Sequence, residues 1–378
     1  MSPAEVASTG AVGAATPSAA TGPAAMVRTQ TELGALAEQW DRLALLEGSP
    51  FLTHAWLSSW WSAFGEGEPR WLVLLDEHGA LRAGALVQLA GARLSAAANV
   101  HSGAWNAVAR DEPARAELWA ALAECKANRI QVQGLPDASE GTLALSAALR
   151  RAGFSVAEIP GPFCPWLELP PSMEELLAGV SASLRSQIKR RRKGLEKLGP
   201  VEFRTVAGGE TFDADLETFL RLEASGWKGE SGTAILSDPA TERLYREFAH
   251  AAAAKGWMRL YVLEAGGEPI AADYGCAFAG CNSFIKTGFD EAHSKLSPGL
   301  VLRAEVLRSS IEEGLRHYDF LGEADIYKTR WTPQVRPRTR MFAYRGLARP
   351  GYAYRRTVRP LLKSVRGRVL SRGEQKHG

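Results

Sequence analysis

Residues 258–321 read MRLYVLEAGGEPIAADYGCAFAGCNSFIKTGFDEAHSKLSPGLVLRAEVLRSSIEEGLRHYDFL, and this stretch decides the fold. Met258–Glu264 and Ile270–Phe278 have strand composition and are joined by the turn Ala265-Gly266-Gly267-Glu268-Pro269. Ala279–Asn282 turns the chain again into a third strand, Ser283–Phe289. A loop from Asp290 then reaches Ser297-Pro298-Gly299 and a helix running to about Glu313. Leu300, Ala304, Leu307, Ile311 and Leu315 recur at spacings of three and four, which gives that helix one apolar face. Gly314 suits its C-terminal cap, and His317–Leu321 follows as a strand. Three antiparallel strands, a crossover helix and a further strand predict an α/β (α+β) chain.

Working outward, Val201–Val206 reads as a strand, and Phe212–Leu222 and Ala240–Lys255 as helices. Before them lies a basic helix, Leu184–Leu198, with Arg185, Lys189, Arg190, Arg191, Arg192, Lys193 and Lys197. Pro160, Pro162, Pro165, Pro170 and Pro171 predict an irregular connector and a domain boundary. Upstream, Trp71–Asp76 and Leu81–Leu89 form a hairpin; Pro113–Asn128 and Leu143–Ala152 are helical, and Arg129–Val132 and Phe154–Ile159 extended. Trp56, Trp60 and Phe64 share a helical face, either packed on a sheet or forming an aromatic wall toward a ligand.

The 378 residues suffice for two domains with their own cores. The formal charge of +3 is unevenly spread: residues 345–378 hold ten basic side chains against Glu374 alone, whereas residues 1–344 hold 35 basic and 41 acidic ones. Residues 1–27 lack the basic start and apolar run of a secretory signal, so a disordered leader and a cytoplasmic protein are expected. Cys125, Cys164, Cys276 and Cys281 form no CxxC pair, and the seven histidines no HxH or HExxH, so neither a disulfide scaffold nor a metal site is expected. Ser297 at N-cap, Pro298 at N1 and the bare Gly299 make the crossover helix a candidate phosphate site.

Six segments, in order, carry a family resemblance: Phe51-Leu52-Thr53-His54-Ala55-Trp56-Leu57, Leu184-Arg185-Ser186-Gln187, Ser225-Gly226-Trp227-Lys228-Gly229, Lys286–Asp290, Ser297-Pro298-Gly299, and Tyr318-Asp319-Phe320 with Tyr327-Lys328-Thr329-Arg330-Trp331. The chain resembles GNAT-type N-acyltransferases of the cellulose-biosynthesis CelD-type branch, which is akin to the Fem-type peptidoglycan aminoacyltransferases. The usual Gln/Arg-x-x-Gly-x-Gly/Ala signature is replaced here by Ser297-Pro298-Gly299. The resemblance implies tandem GNAT-like domains, each a mixed, largely antiparallel sheet flanked by helices. It sets a leader (1–27), a degenerate acceptor-side domain (28–165), a connector with the basic helix (166–200), an acyltransferase domain (201–344) and a basic tail (345–378). It also implies acyl transfer from acetyl-CoA or another acyl-CoA, without a metal, to an amine or hydroxyl of a small molecule or cell-surface glycan precursor.

On that reading Ser297, Pro298, Gly299 and Leu300 hold the donor. Asp319 or Asp273 is the base or orienting carboxylate, Tyr327 the acid for the leaving thiolate, and Lys328 a partner for phosphate or oxyanion. Trp56, Lys228, Lys286 and Trp331 are expected to bind substrate, with Asp273 a candidate partner for Lys286. Two alternatives remain open: an aminoacyl-tRNA-dependent Fem-type transferase, and a non-enzymatic protein that binds nucleic acid or an anionic membrane surface, such as the inner membrane face, through its tail.

Overall fold

A computed structural model describes residues 26–225 and 232–355. The first half contains β1 (Met26–Gln30), α1 (Ala37–Glu47), α2 (His54–Phe64), β2 (Arg70–Leu75), β3 (Leu81–Ala90), β4 (Arg93–Ala96), β5 (Val108–Ala109), α3 (Glu112–Ala123), β6 (Arg129–Pro136), α4 (Glu140–Arg151) and β7 (Ser155–Glu168). Two helices, α5 (Met173–Gly179) and α6 (Ala182–Leu195), lead into the second half. There follow β8 (Val201–Val206), α7 (Phe212–Glu223), α8 (Pro239–Ala254), β9 (Met258–Ala265), β10 (Glu268–Phe278), β11 (Cys281–Phe289), α9 (Pro298–Glu312), β12 (His317–Asp319), α10 (Ile326–Thr329) and β13 (Val335–Tyr344). Apart from the two-residue β5, the order β-α-α-β-β-β-α-β-α-β occurs twice.

All thirteen strands join one sheet, ordered β1-β2-β3-β4-β6-β13-β7-β12-β11-β10-β9-β8, with β5 on β3. Among the described residues, only β4–β6 and β11–β12 pair in parallel. The last strand of each half crosses into the other: β13 pairs with β6 of the first half, and the end of β7 pairs with β12 of the second. The expected extent of the acyltransferase domain, 201–344, is therefore crossed by a reciprocal strand exchange.

The expected connector is different in kind. Pro160, Pro162 and Pro165 lie inside β7, paired with β13 as far as Pro165↔Val335. Before Trp166, β7 has a partner strand on one side only, and a strand with an open edge can spare N–H groups that an interior strand could not.

Three cores hold the layers. One is shared by both halves and lies under α1, α2, α7 and α8. The helices α3 and α4 close the other face of the first half, and α5, α6 and α9 that of the second. Across the shared core, Trp56 of α2 meets Phe248 of α8 edge-on at 4.8 Å. Trp56 is thus fully buried packing between the halves, which corrects its expected role in substrate binding.

The basic segments are partly tied down. In α6, Arg185 donates to the Leu177 carbonyl at 2.9 Å, Arg192 pairs with Glu305 of α9, and Lys189, Arg190 and Lys193 stay exposed, as does Lys197 just beyond its end. At the start of the expected tail, Arg345 lies over Phe154 at 4.4 Å, and Arg355 donates to the Tyr344 hydroxyl at 2.8 Å. The remainder of the tail, from 356 onward, is outside the described residues. Among the described residues the four cysteines are free thiols, and no helix is long and apolar enough to cross a membrane.

Candidate active site

The site begins where two parallel strands part. β11 and β12 pair only over Cys281–Ser283 and His317–Asp319, yet β11 runs on to Phe289, so its edge from Phe284 onward is open. β12 ends at Asp319, whose carboxylate accepts the Leu321 N–H at 2.8 Å and helps the chain turn through Leu321 (φ 52°) and Gly322 (φ 61°). Lys328 fixes the returning loop by donating to the carbonyls of Leu321 (2.9 Å) and Glu323 (3.0 Å). Cavities flank the open part of β11.

The first cavity, about 420 Å³, lies between β11, the end of α7 and the start of α9. Ser297 does occupy the N-cap position, but in the left-handed region (φ 52°, ψ 56°) and without a capping bond from its side chain. This differs from the expected cap, and it leaves the first turn of a 15-residue helix uncapped beside the cavity. A Cβ added at Gly299 would meet no protein atom within 4 Å, so the backbone there can be approached closely. Leu300 and Trp331 also line the cavity. The matching helix of the first half is closed: the Asp111 carboxylate accepts the Ala114 N–H at 2.8 Å at the N-cap of α3.

Beneath this cavity Arg303 of α9 stacks over Phe284 at 3.6 Å, donates to the Tyr318 hydroxyl and pairs with Asp273 of β10 at 2.8 Å. Asp273 lines neither cavity and is 1% exposed, so it is the counter-ion of a buried arginine rather than a base within reach of an acceptor. Its expected pairing with Lys286 also fails: Lys286 lies opposite Tyr274 while Asp273 lies opposite Thr287, which places the two on opposite sheet faces.

The second cavity, about 530 Å³, lies between the halves. The first half supplies residues 99–103, Gln133 and Gly134; the second supplies Phe284–Thr287, Tyr245 and the 320–328 loop; Arg338 and Arg340 come from β13. Lys286 reaches over the Tyr245 ring with its Nζ 5.7 Å from the centroid. His101 lies 3.3 Å from both the Tyr245 and Thr241 hydroxyls. Burial, and then the Lys286 charge, bring its ring down to about 4, so it is neutral at pH 7. Among the described lining residues Glu323 is the one carboxylate.

Asp319 lines neither of these cavities; it faces a smaller one beside Arg336, and burial raises its carboxyl above the usual range. Lys328 does line the cavity between the halves, but its ammonium is committed to two carbonyls and to Asp325 at 3.4 Å, and burial lowers its pKa. Tyr327 lines both cavities and is 51% exposed; burial, then Asp325, push its hydroxyl up to about 12. Lys228 lies outside the described residues. Sequence reasoning missed His101, Arg338 and Arg340. The alternation Arg336, Arg338, Arg340 is a strand signal that could have exposed the last two.

With this geometry in place, the relatives can be set beside it. Residues 182–329 match the family model described as an acetyltransferase (GNAT) domain. The protein is an acyltransferase. The matched span holds the open strand edge, the uncapped helix start and Tyr327. In fold, the acyltransferase is similar to FemX, with 11% identity and a TM-score of 0.56 over 84% of this chain and 97% of that one. A conserved protein of unknown function from Bacteroides thetaiotaomicron compares at 15% identity and a TM-score of 0.55 over 85% and 100%. The C-terminal domain of a protein assigned as a lysylphosphatidylglycerol synthetase in Agrobacterium fabrum gives 13% and 0.52 over 83% and 93%. At such identities the likeness is one of fold, and it extends over both halves. No curated protein matches the sequence significantly.

Proposed function

We propose that the protein moves an acyl group from acetyl-CoA or another acyl-CoA, held at the α9 cavity, to an amine or hydroxyl of an acceptor in the cavity between the halves. The observation that carries this reading is the shared wall: Phe284, Thr287 and Tyr327 line both cavities, so a thioester in one can be met from the other. The uncapped turn at Ser297-Pro298-Gly299 suits a diphosphate, and the open β11 edge offers backbone groups to an extended amide-bearing arm. The donor supplies an activated acyl carbon and a thiolate leaving group. Tyr327, protonated across the physiological range, gives its proton to that thiolate, and Glu323 takes one from the acceptor. Lys328 positions the loop that carries both. Lys286 and Trp331 shape the acceptor and donor sides respectively. The first half serves the acceptor, which is a small molecule or a precursor of cell-surface polysaccharide on the strength of the CelD-type resemblance.

A second reading, an aminoacyl-tRNA donor, is favoured by the exposed Lys189, Arg190 and Lys193 on α6 and Lys197 just after it. Calorimetry with acetyl-CoA, longer acyl-CoAs and aminoacyl-tRNA separates the two. Saturable acyl-CoA binding, weakened tenfold or more by Gly299→Leu, is expected. Binding of aminoacyl-tRNA alone would replace the first reading with the second.

A further inference from the structure

The cavity between the halves has a charge arrangement that acyl transfer alone does not require. Along β13, Arg336, Arg338 and Arg340 alternate with Pro337 and Thr339, so they fall to one side of the strand. Arg336 is occupied, stacked over Trp166 at 3.8 Å. Arg338 and Arg340 instead line the acceptor cavity. The Nε of each is buried without a hydrogen-bond partner, and no carboxylate of the described residues lies within ion-pair distance of either. The fully buried Arg115 and Arg303, by contrast, are each matched by a carboxylate: Arg115 pairs with Glu47 at 2.6 Å and Arg303 with Asp273 at 2.8 Å. Lys286 and the committed Lys328 bring the cations of the lining to four, against Glu323 as the one acid among the described lining residues. Each residue is half-buried and Arg340 also donates to the Pro160 carbonyl at 3.0 Å, but neither guanidinium has an anion at hand, and a planar fork fits an oxyanion bidentately. Two forks two residues apart on one strand stand roughly 7 Å apart, close enough to flank one such group.

We propose that the acceptor carries an oxyanion, a phosphate or a carboxylate, and that Arg338 and Arg340 bind it with Lys286 beside them. This rests on assigning the interface cavity to the acceptor. It narrows the substrate class to anionic acceptors and gives β13 a part in selecting them: the strand that completes the first half brings the specificity residues to a centre built by the second.

The test titrates inorganic phosphate, and separately acetate, into the full chain as wild type, Arg338→Gln, Arg340→Gln, the double variant and Gly299→Leu, with acetyl-CoA titrated into each. Expected is saturable binding of one or both anions by wild type, weakened about tenfold or more by each arginine substitution, with acetyl-CoA affinity unchanged. Anion affinity unchanged in the double variant overturns the proposal, as does affinity lost only in Gly299→Leu, which would place the ion at the start of α9. If circular dichroism shows the glutamine variants unfolded, Arg338→Lys and Arg340→Lys take their place. They keep the charge but lose the fork, so severalfold weaker binding supports the site and unchanged binding overturns it. Arginine-dependent anion binding without any acetyl-CoA binding would support this site while sinking the acyl-CoA reading.

Discussion

Replacing Asp273 by Asn probes the centre of the second half. Asp273 is 1% exposed and Arg303 6%, with 2.8 Å between them, and Arg303 is pinned on its other sides by Phe284 and Tyr318. The substitution leaves a guanidinium with nowhere to relocate and no carboxylate. Removing one partner of such a pair costs about 3–5 kcal/mol, whereas replacing both with apolar groups is often neutral. Asp273→Asn should therefore lower unfolding stability by about 4 kcal/mol, and Asp273→Leu with Arg303→Met should recover most of that, a coupling of about 2 kcal/mol or more. Urea unfolding of the four corners of the Leu/Met cycle, with Asp273→Asn alongside, measures both. A loss below about 1 kcal/mol with turnover abolished would refute the structural role and restore Asp273 as a base.

Four further outcomes follow from the same geometry. Gly299→Leu should leave the melting temperature unchanged, because its Cβ points into open space, while calorimetry shows acetyl-CoA affinity falling tenfold or more. Ser297→Gly should raise stability by about 1 kcal/mol in chemical denaturation by relieving a left-handed residue with no capping bond. Tyr327→Phe should lower kcat by roughly 10²- to 10⁴-fold in a thiol-release assay with little change in donor affinity. His101 is depressed from 6.5 to about 4 in the folded chain, so the unfolded chain binds the extra proton first and stability drains away as pH falls from 6.5 toward 4. With partial exposure discounted, the loss is at most about 2 kcal/mol. Melting curves of His101→Gln across that window should be flatter than those of wild type.

The sequence made the second half readable because its signals were local. The Gly266-Gly267 turn, the helical spacing from Leu300 to Ile311 and the Ser297-Pro298-Gly299 start each act within a few residues, and each element formed close to where it was expected. What stayed hidden depended on distant partners. β13 was not expected, because Pro337 and the charged side chains mask the strand alternation of Arg336, Arg338 and Arg340 until β6 and β7 are placed on either side. The prolines of β7 look like a connector until one of its edges is known to be open. Trp56 carries the same helical period whether it faces a ligand or Phe248. Asp273 and Asp319 are acids on strands of the right half, and only three-dimensional placement shows one matched to Arg303 and the other to a backbone amide.

The reciprocal crossing of β7 and β13 also dictates when the molecule can become whole. During synthesis, β6 and β7 emerge some 190 residues before the strand that must slip between them. Until Tyr344 has left the ribosome, both present unpaired edges of the kind that invite aggregation. Pairing across such a separation carries a large loop-closure cost, so the final insertion of β13 is expected to be slow and to set the folding rate. A fragment ending before Val335 would lose the wedge between the halves together with Arg338 and Arg340. Maturation and substrate selection thus hang on the same ten residues.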